Sequence, residues 1–147
     1  MRKFHELFRG SETGHGYYGN INGAQATDRG KVTSLARTIH SPATAELFEE
    51  HLAGKKRLGI PPVTKDRKVW WFCLDVDHYQ DEGLHEQIAE AILRLGLPIV
   101  MTRSKSNGAH LWVFLEEPID AGKALEIAKA FAVKLDLPAD HVDFFPK

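Results

Sequence analysis

Apolar and polar positions follow a strand-like pattern in the second half of the chain. The run Val69-Trp-Trp-Phe-Cys-Leu-Asp-Val-Asp77 is aromatic, apolar or β-branched up to its two carboxylates, which predicts a strand over about 69–77. The run His110-Leu-Trp-Val-Phe-Leu115 alternates strictly and predicts another strand. Residues 98–105 and 142–145 have the composition of two more. The pattern therefore predicts four strands, numbered one to four in chain order, after residue 68.

Two stretches with helical periodicity separate these strands. Apolar residues three and four positions apart predict a helix over about 81–95, which Gly96 ends, and another that begins near Asp120. The resulting order, β-α-β-β-α-β, is that of a ferredoxin-like or RRM-like α+β fold. Right-handed crossovers around one hairpin then give the sheet order 4-1-3-2, with both helices on one face and the other face open.

The first 68 residues show a weaker pattern. Residues 1–40 are rich in small and polar residues and predict short strands and loops. Glycines such as Gly10 either allow the backbone to come close to something else or belong to a mobile connector. Ser41 as N-cap and Pro42 as first helical residue predict a helix that Gly54 ends. We expect a small N-terminal α/β subdomain over 1–68 beside an RRM-like domain over 69–147.

Composition limits which cellular compartments and which classes of partner are expected. Cys73 is the only cysteine, which excludes an intramolecular disulfide and suits a reducing cytosol. No apolar run reaches membrane-spanning length, so we expect a soluble, cytoplasmic protein without membrane contact. The net charge of −1 excludes a global basic field, although residues 1–68 carry +5 and residues 69–147 carry −6. This asymmetry fits a polyanion surface beside a metal site, or two halves that attract each other.

The candidate chemistry begins at the end of strand one. Asp75 and Asp77 are spaced i, i+2, which in a strand puts both carboxylates on one face of the sheet. Like charges this close repel each other unless cations hold them together. The alternative is a strand that ends in a solvated acidic turn, because Asp81 and Glu82 follow.

The predicted topology brings more polar residues to the same place. Strands three and four flank strand one and run antiparallel to it, so their starts at His110 and Asp143 should lie beside Asp75 and Asp77. Three carboxylates and a histidine from separate stretches would then meet at one end of the open face. Such a cluster suits divalent metal and an anionic substrate.

A predicted hairpin adds cations to this cluster. Asn107-Gly108 is a strong signal for a two-residue turn between strands two and three. That turn would pair Lys105 with His110 and Arg103 with Trp112, next to the carboxylates. Bases in that position would receive the phosphates of a substrate.

At these residues the sequence resembles the archaeo-eukaryotic primase superfamily, nearest to primase-polymerase modules of phages and mobile elements. The resemblance rests on three motifs and on three upstream stretches that together cover nearly the whole chain. The motifs are Leu74-Asp-Val-Asp77, Arg103-Ser-Lys-Ser-Asn-Gly-Ala-His110-Leu-Trp112 and Asp143-Phe-Phe-Pro-Lys147. The upstream stretches are Leu7-Phe-Arg-Gly10, His51-Leu-Ala-Gly54 and Leu58-Gly-Ile-Pro61.

The resemblance implies template-directed nucleotidyl transfer by a DNA primase or primase-polymerase, with the RRM-like domain as its catalytic palm. It implies that Asp75, Asp77 and Asp143 carry two Mg²⁺ or Mn²⁺ ions. It further implies nucleotide binding by a second group of side chains, to which strand geometry adds Arg103. That group is His110, Ser104, Ser106 and Lys105.

The same resemblance implies a set of partners and one departure from the family pattern. The partners would be nucleoside triphosphates, a single-stranded DNA template with its primer, and further domains or a helicase in a prokaryotic, phage or mobile-element protein. The third acid is commonly Glu in relatives, and Asp143 is shorter. Because the chain ends two residues after Phe145, we expect a fragment with reduced activity.

Three other functions compete with primer synthesis. An end-repair polymerase of the same superfamily would use the same motifs. A non-catalytic RRM-like module would stack bases on Trp71, Trp112 and Phe114 of the open face, although acids on that face repel a phosphate backbone. A catalytically silent domain of a conflict or plasmid system is the third alternative.

Overall fold

The computed structural model describes residues 2–18, 36–77, 83–104 and 107–147. The helices are Arg2–Leu7 (α1), Ala45–Leu52 (α2), Leu84–Leu95 (α3) and Ala121–Lys134 (α4). The strands are His15–Tyr18 (β1), Ala36–Ile39 (β2), Arg57–Gly59 (β3), Lys68–Val76 (β4), Val100–Arg103 (β5), Ala109–Asp120 (β6) and Val142–Phe145 (β7). Within these described residues, no helix combines the length and the hydrophobicity needed to cross a membrane.

The second half of the chain forms the predicted sheet. Its four antiparallel strands have the order β5-β6-β4-β7, which is the predicted 4-1-3-2. The α+β fold class is therefore confirmed. Strand β4 lies at the centre because it pairs with β6 on one side and with β7 on the other.

Alternation along β4 explains which face is buried by the helices. Phe72, Leu74 and Val76 have no solvent exposure and pack in one core with apolar residues of α3 and α4. Both helices thus cover the same face of the sheet, as the crossovers require. Trp71 and Cys73 point to the other face.

This second face is less open than predicted. Trp71 is only 5% exposed and Cys73 only 2%. Phe8, just after α1, lies edge-on against three rings of this face at centroid distances of 5.2–5.7 Å; they are Trp71, Trp112 and Phe114. The expectation of an open face was wrong at these positions, because residues from the N-terminal part of the chain bury Trp71 and partly cover Trp112 and Phe114.

The N-terminal part contains a separate three-stranded antiparallel sheet with the order β2-β1-β3. The predicted short strands are present, whereas helix α1 was missed. It forms where the rings of Phe4 and Phe8, four residues apart, contact each other at a centroid distance of 4.8 Å and Phe4 also packs against Phe48 of α2. The two sheets lie on either side of residue 68 in sequence, and the division into two domains there stays a prediction.

Capping residues explain where the helices begin and end. Helix α2 does not begin at Ser41-Pro42; its N-cap is Thr44, whose hydroxyl accepts from the Leu47 N–H at 3.4 Å. Gly54, with φ of +70°, follows its end as predicted. Gly96 ends α3 and Asp120 caps α4, as predicted. Residues 81 and 82 of the predicted helix over 81–95 lie outside the described residues.

The hairpin between β5 and β6 differs from the predicted two-residue turn. Thr102 is opposite His110, and Arg103 is opposite Ala109, so five residues separate the last paired positions. Two hydrogen bonds between Ser104 and Gly108 stabilise this longer loop. The Ser104 N–H donates to the Gly108 carbonyl, and the Ser104 hydroxyl accepts from the Gly108 N–H. These bonds close the loop before the ladder can extend to a turn at Asn107-Gly108.

Candidate functional site

Four polar side chains form a row across the four-stranded sheet. Asp143 of β7 is directly opposite Asp75 of β4, Asp75 is opposite His110 of β6, and His110 is opposite Thr102 of β5. Residues directly opposite each other in a ladder share a face. The predicted meeting of Asp75, His110 and Asp143 is therefore confirmed, whereas their roles stay predictions.

Asp77 lies two residues beyond Asp75. Its N–H donates to the His141 carbonyl at 2.8 Å, which continues the β4–β7 pairing past the last strand residue. Alternation then puts the Asp77 side chain on the same side of the sheet as Asp75. Both acids of the first motif thus lie at the edge where β7 begins.

Asp75 has an unusual environment for a carboxylate. Its side chain is 24% exposed, yet its Oδ1 is buried and accepts no hydrogen bond from the described residues. His110 Nε2 lies 3.3 Å from this oxygen, an ion pair only if the imidazole is protonated. A buried acceptor without a hydrogen bond costs about 1–3 kcal/mol, and such costs are typical of functional sites. A bound cation would satisfy this oxygen.

Asp143 is more accessible. Its side chain is 52% exposed and Lys147 Nζ lies 3.2 Å from its Oδ1. The same ammonium is 5.2 Å from the centroid of the Phe145 ring. An exposed pair of this kind contributes little to stability, so Asp143 can exchange the lysine for another cation at small cost.

Cys73 lies one step inward from Asp75 on the same face, opposite Trp112 and Phe145. Burial, and to a lesser degree the charge of Asp75, raises the pKa of the Cys73 thiol well above its ordinary value. The thiol therefore stays protonated at physiological pH. This argues against Cys73 as a thiolate nucleophile in the metal-free protein.

The carboxylates suit a hard divalent cation without forming a ready-made metal centre. Oxygen donors are the ligands that Mg²⁺ and Mn²⁺ prefer, and the buried Asp75 Oδ1 lacks a donor. However, in the part of the chain that the structure describes, no three His, Cys, Asp or Glu side chains are grouped closely enough to hold an ion. The donors fit the metal in chemistry and in the face they share, and their side chains would have to turn toward it.

A cavity of about 470 Å³ lies against this row of side chains. Asp75, Thr102 and His110 line it at one end. Most of its other lining residues are aromatic or aliphatic and come from both halves of the chain: Phe4, Phe8, Tyr18, Phe48, His51, Leu58, Gly59, Ile60, Trp71, Cys73, Trp112 and Phe145. Sequence reasoning missed the contribution of the N-terminal half, for which the spacing of Phe4 and Phe8 was the available signal.

The predicted nucleotide-binding residues have different outcomes. His110 lines the cavity, whereas Arg103 was predicted next to the carboxylates and is not there. It lies opposite the buried Ala109 on the helix-covered side, and its guanidinium donates to Asn107 Oδ1 at 2.8 Å. Ser104 closes the hairpin loop. Lys105 and Ser106 lie outside the described residues.

An α+β palm with carboxylates at the end of its first strand and on its last strand is the arrangement expected of a primase-type catalytic domain. The chain belongs to the TOTE conflict system, Archaeo-Eukaryotic Primase domain family, which it matches over residues 4–145. The resemblance seen in the motifs is thereby confirmed. Membership points to primase-type nucleotidyltransferase activity, for which such domains typically use divalent metals. A search of curated proteins finds no significant match.

Proposed function

We propose that this chain is the catalytic domain of a DNA primase-polymerase, which joins nucleoside triphosphates to a growing primer on a single-stranded DNA template. The observation that carries the proposal is the row Asp143–Asp75–His110 at the polar end of the cavity, with a buried carboxylate oxygen that lacks a hydrogen bond. The family supports the reaction class, and the row supports our choice of residues.

Each acid has a place in the proposed chemistry. Asp75, Asp77 and Asp143 would hold two Mg²⁺ or Mn²⁺ ions. When bound, the ions would lower the pKa of the primer 3′-hydroxyl and neutralise the triphosphate. His110, 3.3 Å from Asp75, would lose its carboxylate partner to the metal and donate to a phosphate oxygen instead.

The covered sheet face favours an enzyme over a simple RNA-binding module. Stacking of bases across the sheet needs free ring faces. Trp71 is 5% exposed and offers no free ring face, and Phe8 packs edge-on against Trp71, Trp112 and Phe114, so these rings do not form one open stacking surface. Trp112 keeps part of its ring exposed where it lines the cavity. The cavity that contains Asp75 and His110 is an accessible part of this face.

Nucleotide incorporation on defined DNA tests the proposal. With a single-stranded template, nucleoside triphosphates and Mn²⁺ or Mg²⁺, we expect products that disappear when EDTA removes the metal. Synthesis without a pre-existing 3′ end identifies a primase, whereas extension of a primer alone identifies an end-repair polymerase of the same superfamily. A chain that neither incorporates nucleotides nor binds them in a metal-dependent way contradicts the proposal.

His110→Ala should raise the KM for nucleotide about 10- to 100-fold, because a hydrogen bond to a charged group is worth about 1.5–3 kcal/mol. Steady-state kinetics of primer extension measure the effect. His40→Ala is the matched control, since His40 is exposed and does not line the cavity. An unchanged KM and kcat in the His110 variant would remove His110 from the site.

The wider setting follows from the same proposal. A template strand, a primer and nucleoside triphosphates are the partners that this reaction requires. We also propose that the intact protein contains further domains or a helicase, in keeping with a conflict system encoded by a prokaryote, phage or mobile element.

A further inference from the structure

The cavity beside Asp75 changes from polar to aromatic along its length. Asp75 and His110 belong to one row of the sheet, and Cys73 and Trp112 belong to the next. Since a strand rises about 3.3 Å per residue, the Trp112 ring lies roughly 7 Å from the carboxylate row. The N-terminal half faces this second row with aromatic side chains of α1, β1 and α2, namely Phe4, Tyr18 and Phe48, together with Phe8.

The indole rings at this aromatic end are fixed by hydrogen bonds. Trp112 Nε1 donates to Thr102 Oγ1 at 2.9 Å, and Trp71 Nε1 donates to the Arg9 carbonyl at 3.0 Å. Phe8 packs edge-on against both rings. The aromatic end therefore has a defined shape before any ligand binds, and such preorganisation lowers the entropic cost of binding.

We propose that this aromatic end binds the base of the incoming nucleotide, with Trp112 as its main contact, while the triphosphate points toward Asp75 and His110. The inference rests on the proposed function. Three observations support it: a volume of about 470 Å³, within the range of small-molecule sites, an apolar wall, and the Asp75 carboxylate at the other end. The polarity of the cavity thus matches that of a nucleotide, whose base has a flat aromatic face and whose phosphates need cations.

The proposal gives the N-terminal half a direct role in substrate binding. Phe4, Tyr18 and Phe48 lie far from the palm motifs in sequence, yet they line the same cavity as Asp75. The base would be enclosed between Trp112 and this wall. Every base has a flat aromatic face, so such a compartment would accept all four bases and leave their selection to the template.

Titration of the full chain with Mn²⁺ and two probes tests the assignment. The probes are inorganic tripolyphosphate, which lacks a base, and deoxyadenosine triphosphate. In the wild type we expect the nucleotide to bind about tenfold more tightly than tripolyphosphate, because a base stacked on an aromatic ring contributes a factor of roughly this size. Trp112→Ala should remove the difference and leave the tripolyphosphate affinity unchanged.

Two further variants keep the test independent of folding. Trp112→Phe retains an aromatic ring and should keep most of the tenfold difference. Trp70→Ala is the matched control, since Trp70 belongs to the same sheet but lies outside the cavity, under the Arg9 guanidinium at 3.4 Å. Thermal melts of all variants identify any that do not fold; if Trp112→Ala does not fold, Trp112→Leu replaces it, because it also removes the aromatic ring.

The outcomes separate this inference from the proposed function. A Trp112→Ala protein that still prefers the nucleotide tenfold overturns the base compartment. A Trp112→Ala protein that binds a single-stranded DNA oligonucleotide more weakly but binds the nucleotide as before also overturns it, because the ring would then contact the template. If the nucleotide binds with the expected preference but is never incorporated into DNA, the base compartment stands and the polymerase function fails.

Discussion

Asp75→Asn should reduce metal-dependent nucleotide incorporation by more than about 100-fold, because even groups that only support a metal ligand cost 10- to 100-fold when lost. The same substitution should leave the protein at least as stable as the wild type. The Asp75 Oδ1 is buried without a hydrogen bond, so the substitution removes no hydrogen bond from that oxygen, and it also removes the like charge directly across the ladder from Asp143. Incorporation assays and thermal melts, run on the same preparation, measure the two effects.

Asp140→Asn is the matched control for this experiment. Asp140 is an aspartate from the turn before β7, its side chain is 82% exposed, and it pairs with its neighbour His141 at 3.6 Å. Its replacement should change neither activity nor stability. Full activity of Asp75→Asn would contradict the assignment of Asp75 as a metal ligand. A large loss of stability would instead show that the carboxylate supports the fold.

Gly10→Ala should destabilise the protein by about 3 kcal/mol, at the upper end of what overpacking usually costs. An added Cβ would lie 2.2 Å from the Pro61 carbonyl oxygen and 3.0 Å from Cγ2 of Ile60. The two backbone segments cannot move apart cheaply, since the Ser11 N–H donates to the same Pro61 oxygen at 2.8 Å. Denaturant unfolding of the variant and wild type gives the difference in free energy.

Gly16→Ala provides the comparison for this variant. A Cβ at Gly16 would meet its nearest neighbours at 3.5 Å, which is an ordinary van der Waals distance. We expect little change in the free energy of unfolding for this second substitution. Equal stability of Gly10→Ala and wild type would mean that the approach of Gly10 to Pro61 is looser than the structure shows.

The palm was predictable because its signals are local and its topology has few alternatives. Alternation marked β4 and β6, and the order β-α-β-β-α-β with right-handed crossovers left one sheet order. That order alone placed Asp143 and His110 beside Asp75. The candidate site was thus predictable at the level of backbone register, although the residues come from three separate stretches.

Helix α1, the hairpin register and the cavity wall depend on contacts that a sequence pattern does not predict. Helix α1 has six residues, which is too short to be stable alone. It forms because Phe4 and Phe8 pack against aromatic rings of other elements. The hairpin register depends on Ser104, whose bonds to Gly108 outweigh the turn preference of Asn107-Gly108. The cavity wall joins segments that only the folded chain brings together.

The packing of Phe8 on the sheet also limits how this protein can be recombined with its relatives. The ring contacts residues of both β4 and β6, and the neighbouring Arg9 carbonyl holds the Trp71 indole. The opening ten residues are thus fitted to one particular aromatic surface. A chimera with the N-terminal segment of another family member would also need the matching side chains on β4 and β6 from that member. These segments, distant in sequence, should therefore be exchanged together.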